Sequence, residues 1–148
     1  MNSNLIFLAN LIVTWYMVGL IWMVQTVHYK MFDRVGEPQF ISYEADHCNL
    51  ITPIVGPPML IEIVTAAMLL VYAPHGIPRW AMAAGFAAVL GIWLSTYFFQ
   101  VPCHNRLMNG FNQSDYQRLV GSNWIRTVLW TARGILLAYW ATQLMPAN

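Results

Sequence analysis

Long apolar runs separated by short polar stretches set the pattern of this chain. Four runs, at residues 5–27, 50–72, 80–101 and 124–144, each reach the roughly 20 mostly apolar residues that a helix needs to cross a bilayer. They leave little chain for other elements, so the pattern predicts a single transmembrane domain over residues 1–148. The expected fold class is all-α, a four-helix transmembrane bundle.

The composition agrees with this prediction. Of the 148 residues, 58% are hydrophobic and 9% are charged, whereas an average soluble domain has roughly 25% charged residues. The mean hydropathy is +0.50. A net charge of +1 without a basic run argues against nucleic-acid binding. The lipid bilayer is the expected partner, and the first run is expected to be a retained span because no basic segment precedes it.

The distribution of cations predicts the orientation in the membrane. The short connection between the second and third runs has Arg79, whereas the two longer connections and the start of the fourth run hold Lys30, Arg34, Arg106, Arg118 and Arg126. By the positive-inside rule, the longer connections face the cytoplasm and both termini face outward, in a bacterial inner membrane. Cys48 and Cys103 then lie near the reducing side, which disfavours a disulfide.

The longer connections are expected to contain short helices. Glu37-Pro38 places proline at the first position of one helix. Ser114 and Gln117 match a capping box for another, and Ser122 is the expected cap of the fourth transmembrane helix.

The two halves of the chain show a weak internal similarity. Gln25 and His28 at the end of the first run correspond to Gln100 and His104 at the end of the third. A glycine, a tyrosine and an asparagine follow in each half, at spacings that differ by one or two residues. This pattern favours a duplicated two-helix hairpin, an arrangement known among transporters.

Glu62 is the single carboxylate of the second run, and Arg133 lies in the fourth. Each is about eleven residues from the cytoplasmic side, or about 17 Å deep at a rise of about 1.5 Å per residue, so we expect an ion pair. Either the pair fastens two helices, or Glu62 binds a proton, a cation or a substrate. The preceding Gly56-Pro57-Pro58 is expected to kink the helix and to form the wall of any pocket.

Three histidines from different runs, His28, His47 and His104, are expected at one membrane level near the cytoplasmic end. Imidazole binds zinc, copper, iron and haem iron, so the three are candidate ligands of a transition metal or of haem. Glu44 and His47 form an i, i+3 pair of the kind found in bundle metal sites, but the second pair of a di-iron site is missing. Alternatively, the histidines act directly as acid or base, or they only hydrogen-bond to one another.

The candidate site includes other polar residues at the level of the histidines. The candidate substrate-binding residues are Gln25, Tyr43, Gln100, Asn123 and Arg126. The candidate catalytic residues are His28, His47 and His104, with Glu62 and Arg133 expected at the deeper end of the same site.

Five segments carry a resemblance to a known group of proteins, and it covers nearly the whole chain. They are Val24-Gln-Thr-Val-His-Tyr29, Gly56-Pro-Pro-Met-Leu60, Ile92-Trp-Leu-Ser-Thr96, Gln100-Val-Pro102 and Asn123-Trp-Ile-Arg-Thr127. With them the chain resembles small bacterial four-helix integral membrane proteins. In size and helix layout it is more distantly similar to the anthrone-oxygenase-like membrane family, whose members oxidise aromatic polyketide intermediates. That resemblance implies an oxidoreductase and assigns no catalytic residue.

Three functions agree with these features. The first is a membrane-embedded oxidoreductase that acts on a small lipophilic substrate at the histidine-rich site, with haem, iron, copper or zinc as candidate cofactors. The second is a carrier or binding protein for a small solute or a proton that uses Glu62. The third is an accessory subunit of a membrane complex, in which the polar residues only fasten helices. A homo-oligomer is compatible with each.

Overall fold

A computed structural model describes residues 2–144, and within that range all the regular secondary structure is helical. The helices are α1 (Ser3–Met23), α2 (Glu37–Val71), α3 (Arg79–Ser95), α4 (Val101–Leu107) and α5 (Gln113–Gln143). A π-helical turn at Val24–His28 and a 3₁₀ segment at Tyr29–Arg34 extend α1, and a π-helical turn at Thr96–Gln100 joins α3 to α4. The chain therefore forms four long helical rods, which confirms the predicted all-α four-helix bundle.

Three of the four rods are long and apolar enough to cross a membrane, namely Ser3–Arg34, Glu37–Val71 and Arg79–Leu107. The fourth rod, α5, is not among them. Its apolar part contains Arg126 and Arg133, which lower its average hydropathy, but both side chains are buried in the bundle. The role of α5 as a fourth membrane span therefore stays a prediction.

The outer surface of the rods is strongly apolar. Large hydrophobic side chains are exposed on every rod, for example Ile12 on α1, Leu60 on α2, Leu94 on α3 and Val128 on α5. In water, exposed apolar surface of this extent would be unfavourable. An outer face of this kind is compatible with a bundle in a membrane.

Two expected helix boundaries are wrong. α2 begins at Glu37 and continues without a break to Val71, so the short helix expected there is its first part. α5 begins at Gln113 and includes Ser122, which therefore caps no helix. The α5 cap is Asn112, whose side chain accepts hydrogen bonds from the backbone N–H groups of Ser114 and Asp115 at 3.0 and 3.1 Å.

Buried apolar side chains form three groups along the bundle. One surrounds Phe32 at the end where the first rod connects to the second and the third to the fourth, one surrounds Trp130 in the middle, and one surrounds Leu69 at the opposite end. Gly134 allows α1 and α5 to approach closely, since a Cβ there would lie 3.2 Å from Val18 Cγ2. The first and last rods are thus held together near the middle of the bundle.

Candidate functional site

A cavity of about 380 Å³ lies among all four rods, toward the end where the first rod connects to the second and the third to the fourth. We call it the central cavity. Its apolar wall includes Met17, Ile21, Val24, Val55, Met59 and Trp93. Its polar wall includes Tyr29, His47, Cys48, Gln100, His104 and Arg126. A mostly apolar cavity with a few convergent polar groups is typical of a small-molecule site, and its volume lies within the usual range of roughly 300 to 1,000 Å³.

Gly56 lies in the wall of the central cavity, where the sequence predicts a pocket wall. The neighbouring residues Pro53, Pro57 and Pro58 are inside α2, which stays helical throughout this segment. A Cβ added to Gly56 would meet no heavy atom within 4 Å. A larger side chain at this position would therefore extend into the cavity instead of clashing with a neighbouring helix.

Tyr29, His104 and Glu44 form one hydrogen-bonded series at the cavity wall. Tyr29 Oη lies 3.1 Å from His104 Nε2, and His104 Nδ1 lies 2.5 Å from Glu44 Oε1. An ionised carboxylate only accepts, so it pairs with an Nδ1–H tautomer of His104, and in that tautomer of a neutral ring Nε2 is the acceptor for the Tyr29 hydroxyl. The carboxylate fixes the orientation and tautomer of the imidazole, as in known catalytic triads. We call these three residues the triad.

The two π-helical turns lie shortly before two of the triad residues in the sequence. Val24–His28 precedes Tyr29, and Thr96–Gln100 is followed four residues later by His104. An extra residue within a turn rotates the following side chains by about 100° around the helix axis, and such turns occur frequently at functional sites. The turns are therefore part of what aims Tyr29 and His104 at one cavity.

The three predicted histidines do come together. His28 Nε2 lies 2.8 Å from His47 Nδ1, and the ring centres of His47 and His104 are 5.3 Å apart. The contact between His28 and His47 occupies one nitrogen of each, while both nitrogens of His104 are engaged by Tyr29 and Glu44. The histidines thus form adjacent hydrogen-bonded groups and do not surround one common point.

Another set of side chains has the spacing of a metal site within residues 2–144. Suitable ligand atoms of Glu44, Cys48 and His104 lie within 4.8 Å of one another. Glu44 is fully buried, and its Oε2 has no hydrogen-bond partner in the described part of the chain, which fits a further ligand there. Because Cys48 and His104 line the central cavity, an ion held by this set would face it. The set of His28, His47 and His104 stays a prediction, and so does haem.

We expect the ligand set of Glu44, Cys48 and His104 to bind one equivalent of a transition metal ion. Titration of the purified protein with Co²⁺ should produce a thiolate-to-cobalt absorption band, because the Cys48 sulfur would be a ligand. Cys48→Ser should remove that band. Cys103→Ser is the matched control, because Cys103 is buried and its sulfur lies 3.4 Å from Arg106. A band that persists in Cys48→Ser would contradict this set.

The five predicted substrate-binding residues have different surroundings. Gln100 and Arg126 line the central cavity, and Tyr43 lines a second cavity of about 320 Å³ beside His28 and His47. Asn123 Nδ2 donates to Gln25 Oε1 at 2.7 Å, and Gln25 Nε2 donates to Val120 O at 3.2 Å. Gln25 and Asn123 therefore hold the end of the first rod against α5, and neither lines the central cavity.

Arg126 is a charged residue of the cavity wall that has no counter-charge within residues 2–144. Its exposed fraction is 7%, and its guanidinium lies 5.1 Å from the ring centre of Trp130. Its Nε has no hydrogen-bond partner, and no carboxylate within residues 2–144 forms an ion pair with it. Trp93 Nε1, also on a wall residue, is a second buried donor without an acceptor in the same range.

Glu62 and Arg133 form the expected ion pair deep in the bundle. Arg133 Nη1 lies 2.5 Å from Glu62 Oε1, and both side chains are 1% exposed. Arg133 also donates to Gly85 O at 3.0 Å, to Asn10 Oδ1 at 2.7 Å and to Thr14, and Trp130 Nε1 donates to Glu62 Oε2 at 2.9 Å. These partners come from all four rods. We call the six residues the buried clamp.

The buried clamp lies apart from the central cavity. Neither Glu62 nor Arg133 lines that cavity, although Met59, about one turn before Glu62, does. Arg133 lines a separate void of about 10 Å³. Since both charged groups have close partners inside the protein, the contacts favour the interpretation in which the pair fastens helices.

Comparison of the chain with protein-family models, with curated proteins and with solved structures finds no match. The resemblance to small bacterial membrane proteins stays an expectation from sequence.

Two members of the triad are not among the site residues that the sequence predicts. Tyr29 directly follows His28, and the sequence alone does not show which of the two faces the interior. Glu44 is noted only as a neighbour of His47, although the structure buries it completely. The signal that points to Glu44 is its place three residues before His47 on α2, which puts the two on one helix face.

Proposed function

We propose that this protein is a membrane-embedded oxidoreductase that acts on a small lipophilic substrate held in the central cavity. The observation that supports this function is the triad of Tyr29, His104 and Glu44 at the wall of a mostly apolar cavity. The apolar wall suits a substrate taken up from the bilayer. The triad supplies a histidine held in position for proton transfer beside that cavity.

His104 would act as the general base in this reaction. It takes a proton from the Tyr29 hydroxyl, which in turn takes one from an O–H group of the substrate. Glu44 stabilises the imidazolium that forms, and this stabilisation is strong because Glu44 is fully buried.

Oxidation of a hydroquinone or related phenol fits this chemistry. A hydroquinone loses two electrons and two protons to become a quinone, and dioxygen can accept both to give hydrogen peroxide. A transition metal at Glu44, Cys48 and His104 would supply redox chemistry beside the same cavity. Both ring nitrogens of His104 are engaged by Tyr29 and Glu44, so the triad would accept the O–H protons only where no metal is bound to this set.

We place the protein in a bacterial inner membrane with both termini outside. Lys30, Arg34, Arg106 and Arg118 lie near the end of the bundle where the first rod connects to the second and the third to the fourth, on the same side as the triad, and cations favour the cytoplasmic side. A carrier role for Glu62 has less support, because the buried clamp already engages both of its carboxylate oxygens.

The proposed site can be tested by reducing the volume of the central cavity. In lipid nanodiscs, wild-type protein should oxidise at least one member of a panel of lipophilic hydroquinones and phenols, measured as dioxygen uptake. Gly56→Leu should lower kcat/KM at least about tenfold, because the new side chain takes the place of the substrate in the cavity.

Gly19→Leu is the matched control for that experiment. Gly19 is also a helical glycine whose added Cβ would meet nothing within 4 Å, but it is exposed and does not line the cavity. Its replacement should leave kcat/KM unchanged. Equal activities of the two variants, or no dioxygen uptake with any compound of the panel, would contradict the proposed function.

A further inference from the structure

Two buried arginines lie on one helix but have opposite surroundings. Arg133 lies seven positions after Arg126, about two helical turns along α5, and both side chains are buried in the bundle. Arg133 has a carboxylate at 2.5 Å and hydrogen-bond partners on every other rod. Arg126 has no carboxylate partner within residues 2–144. Burial of an uncompensated charge is costly, so Arg126 requires a partner that the described chain does not supply.

The groups around Arg126 do not neutralise it. The uncharged ring of Trp130 has its centre 5.1 Å from the guanidinium. The buried carboxylate of Glu44 accepts from His104 at 2.5 Å and forms no ion pair with Arg126. The other polar side chains that line the central cavity carry amide, hydroxyl, thiol, indole and imidazole groups, and none of the lining residues has a carboxylate. A counter-charge would therefore come from a molecule inside the cavity.

A second donor without an acceptor belongs to the same cavity. Trp93 Nε1 is buried and has no hydrogen-bond partner within residues 2–144, and Trp93 lines the central cavity together with Arg126. Two donors without acceptors on residues that line one cavity, one of them charged, match a ligand that brings an acceptor oxygen with a negative charge. The rest of the wall is mostly apolar, so the remainder of the ligand is lipophilic.

We propose that Arg126 binds the anionic oxygen of a lipophilic substrate in the central cavity, with Trp93 as a second donor. This inference rests on the proposed function, because it names the substrate class of the same cavity. The guanidinium of Arg126 holds a carboxylate or phenolate at one end of the substrate. The apolar wall of the cavity, which includes Met17 and Met59, then covers the hydrocarbon part of the substrate.

Binding of a probe that is not oxidised tests this proposal separately from catalysis. Decanoate and decan-1-ol have the same chain length and differ in the charge of the head group. In nanodiscs of phosphatidylcholine, each can be titrated against wild-type protein and the thermal unfolding midpoint recorded, since a ligand that binds the folded state raises the midpoint. We expect wild-type protein to bind decanoate about 10 to 100 times more tightly than decan-1-ol.

Arg126→Met should bind the two probes equally, because the charged donor is gone. Arg118→Met is the matched control on the same helix, since Arg118 is exposed and does not line the cavity, and it should keep the wild-type preference. Without a ligand, Arg126→Met should have a midpoint no lower than wild type, because it removes an uncompensated buried charge. If Arg126→Met does not fold, Arg126→Lys should keep a preference for decanoate that Arg126→Gln loses.

Three results would overturn the proposal. The first is an equal affinity of wild-type protein for decanoate and decan-1-ol, and the second is a preference for decanoate that survives in Arg126→Met. The third is an Arg126-dependent response to phosphatidylglycerol with none to decanoate, which would assign Arg126 to a lipid head group. Decanoate is not a hydroquinone, so its binding does not depend on oxidation. If no compound is oxidised, the binding result for Arg126 still holds. If hydroquinones are oxidised but decanoate is not preferred, the proposed oxidation still holds and the role of Arg126 does not.

Discussion

Glu62→Leu should lower the free energy of unfolding by about 3 to 5 kcal/mol, which is the usual cost of removing one member of a buried ion pair. The substitution leaves the charge of Arg133 without a counter-charge at 1% side-chain exposure. It also removes the acceptor of Trp130 Nε1. The effect can be measured by denaturant titration of the protein in mixed micelles.

The double variant Glu62→Leu with Arg133→Leu distinguishes the energy of the ion pair from the effect of changing the size and shape of the two side chains. It should lose less stability than the sum of the two single variants, with a coupling energy of about 0.5 to 3 kcal/mol, because neither charge is then left alone. Arg106→Gln is the control, since Arg106 pairs with Asp115 at 2.6 Å but is 46% exposed, and it should change stability little. Additive losses in the double variant would show that Glu62 and Arg133 do not stabilise the bundle as a pair.

His104→Ala should lower kcat for hydroquinone oxidation about 10²- to 10⁴-fold, the usual contribution of a general base. The physical reason is that the Tyr29 hydroxyl loses the group that accepts its proton at 3.1 Å. The measurement is steady-state dioxygen uptake in nanodiscs at a saturating substrate concentration.

His75→Ala is the control for His104, since His75 is exposed in the connection at the opposite end of the bundle. It should leave kcat unchanged. A His104→Ala variant with wild-type kcat and wild-type stability would exclude His104 as the base.

The apolar pattern predicts the fold well, because membrane helices must satisfy their backbone hydrogen bonds internally and must present about 20 apolar residues to lipid. The same reasoning predicts the ion pair of Glu62 and Arg133, since two opposite charges at equal depth lower each other's cost of burial. The meeting of His28, His47 and His104 follows from their places at the ends of three runs.

Other parts of the site depend on geometry that the sequence does not specify. The π-helical turns at Val24–His28 and Thr96–Gln100 change which side chains face inward, and no residue type in them requires such a turn. Arg126 and Arg133 have the same chemistry and lie on one helix, but only the packing of the other rods shows which has a partner. The triad is likewise a tertiary feature, since Tyr29 and His104 are 75 positions apart in the sequence.

The cooperation of His104 and Glu44 is the central claim, and a double-mutant cycle on kcat measures it most directly. Residues that act as one catalytic unit have strongly non-additive effects. We therefore expect His104→Ala combined with Glu44→Gln to reduce kcat no further than His104→Ala alone, while Glu44→Gln by itself already reduces kcat substantially. If the two reductions multiplied in the double variant, or if Glu44→Gln retained the wild-type kcat, Glu44 would not act through His104.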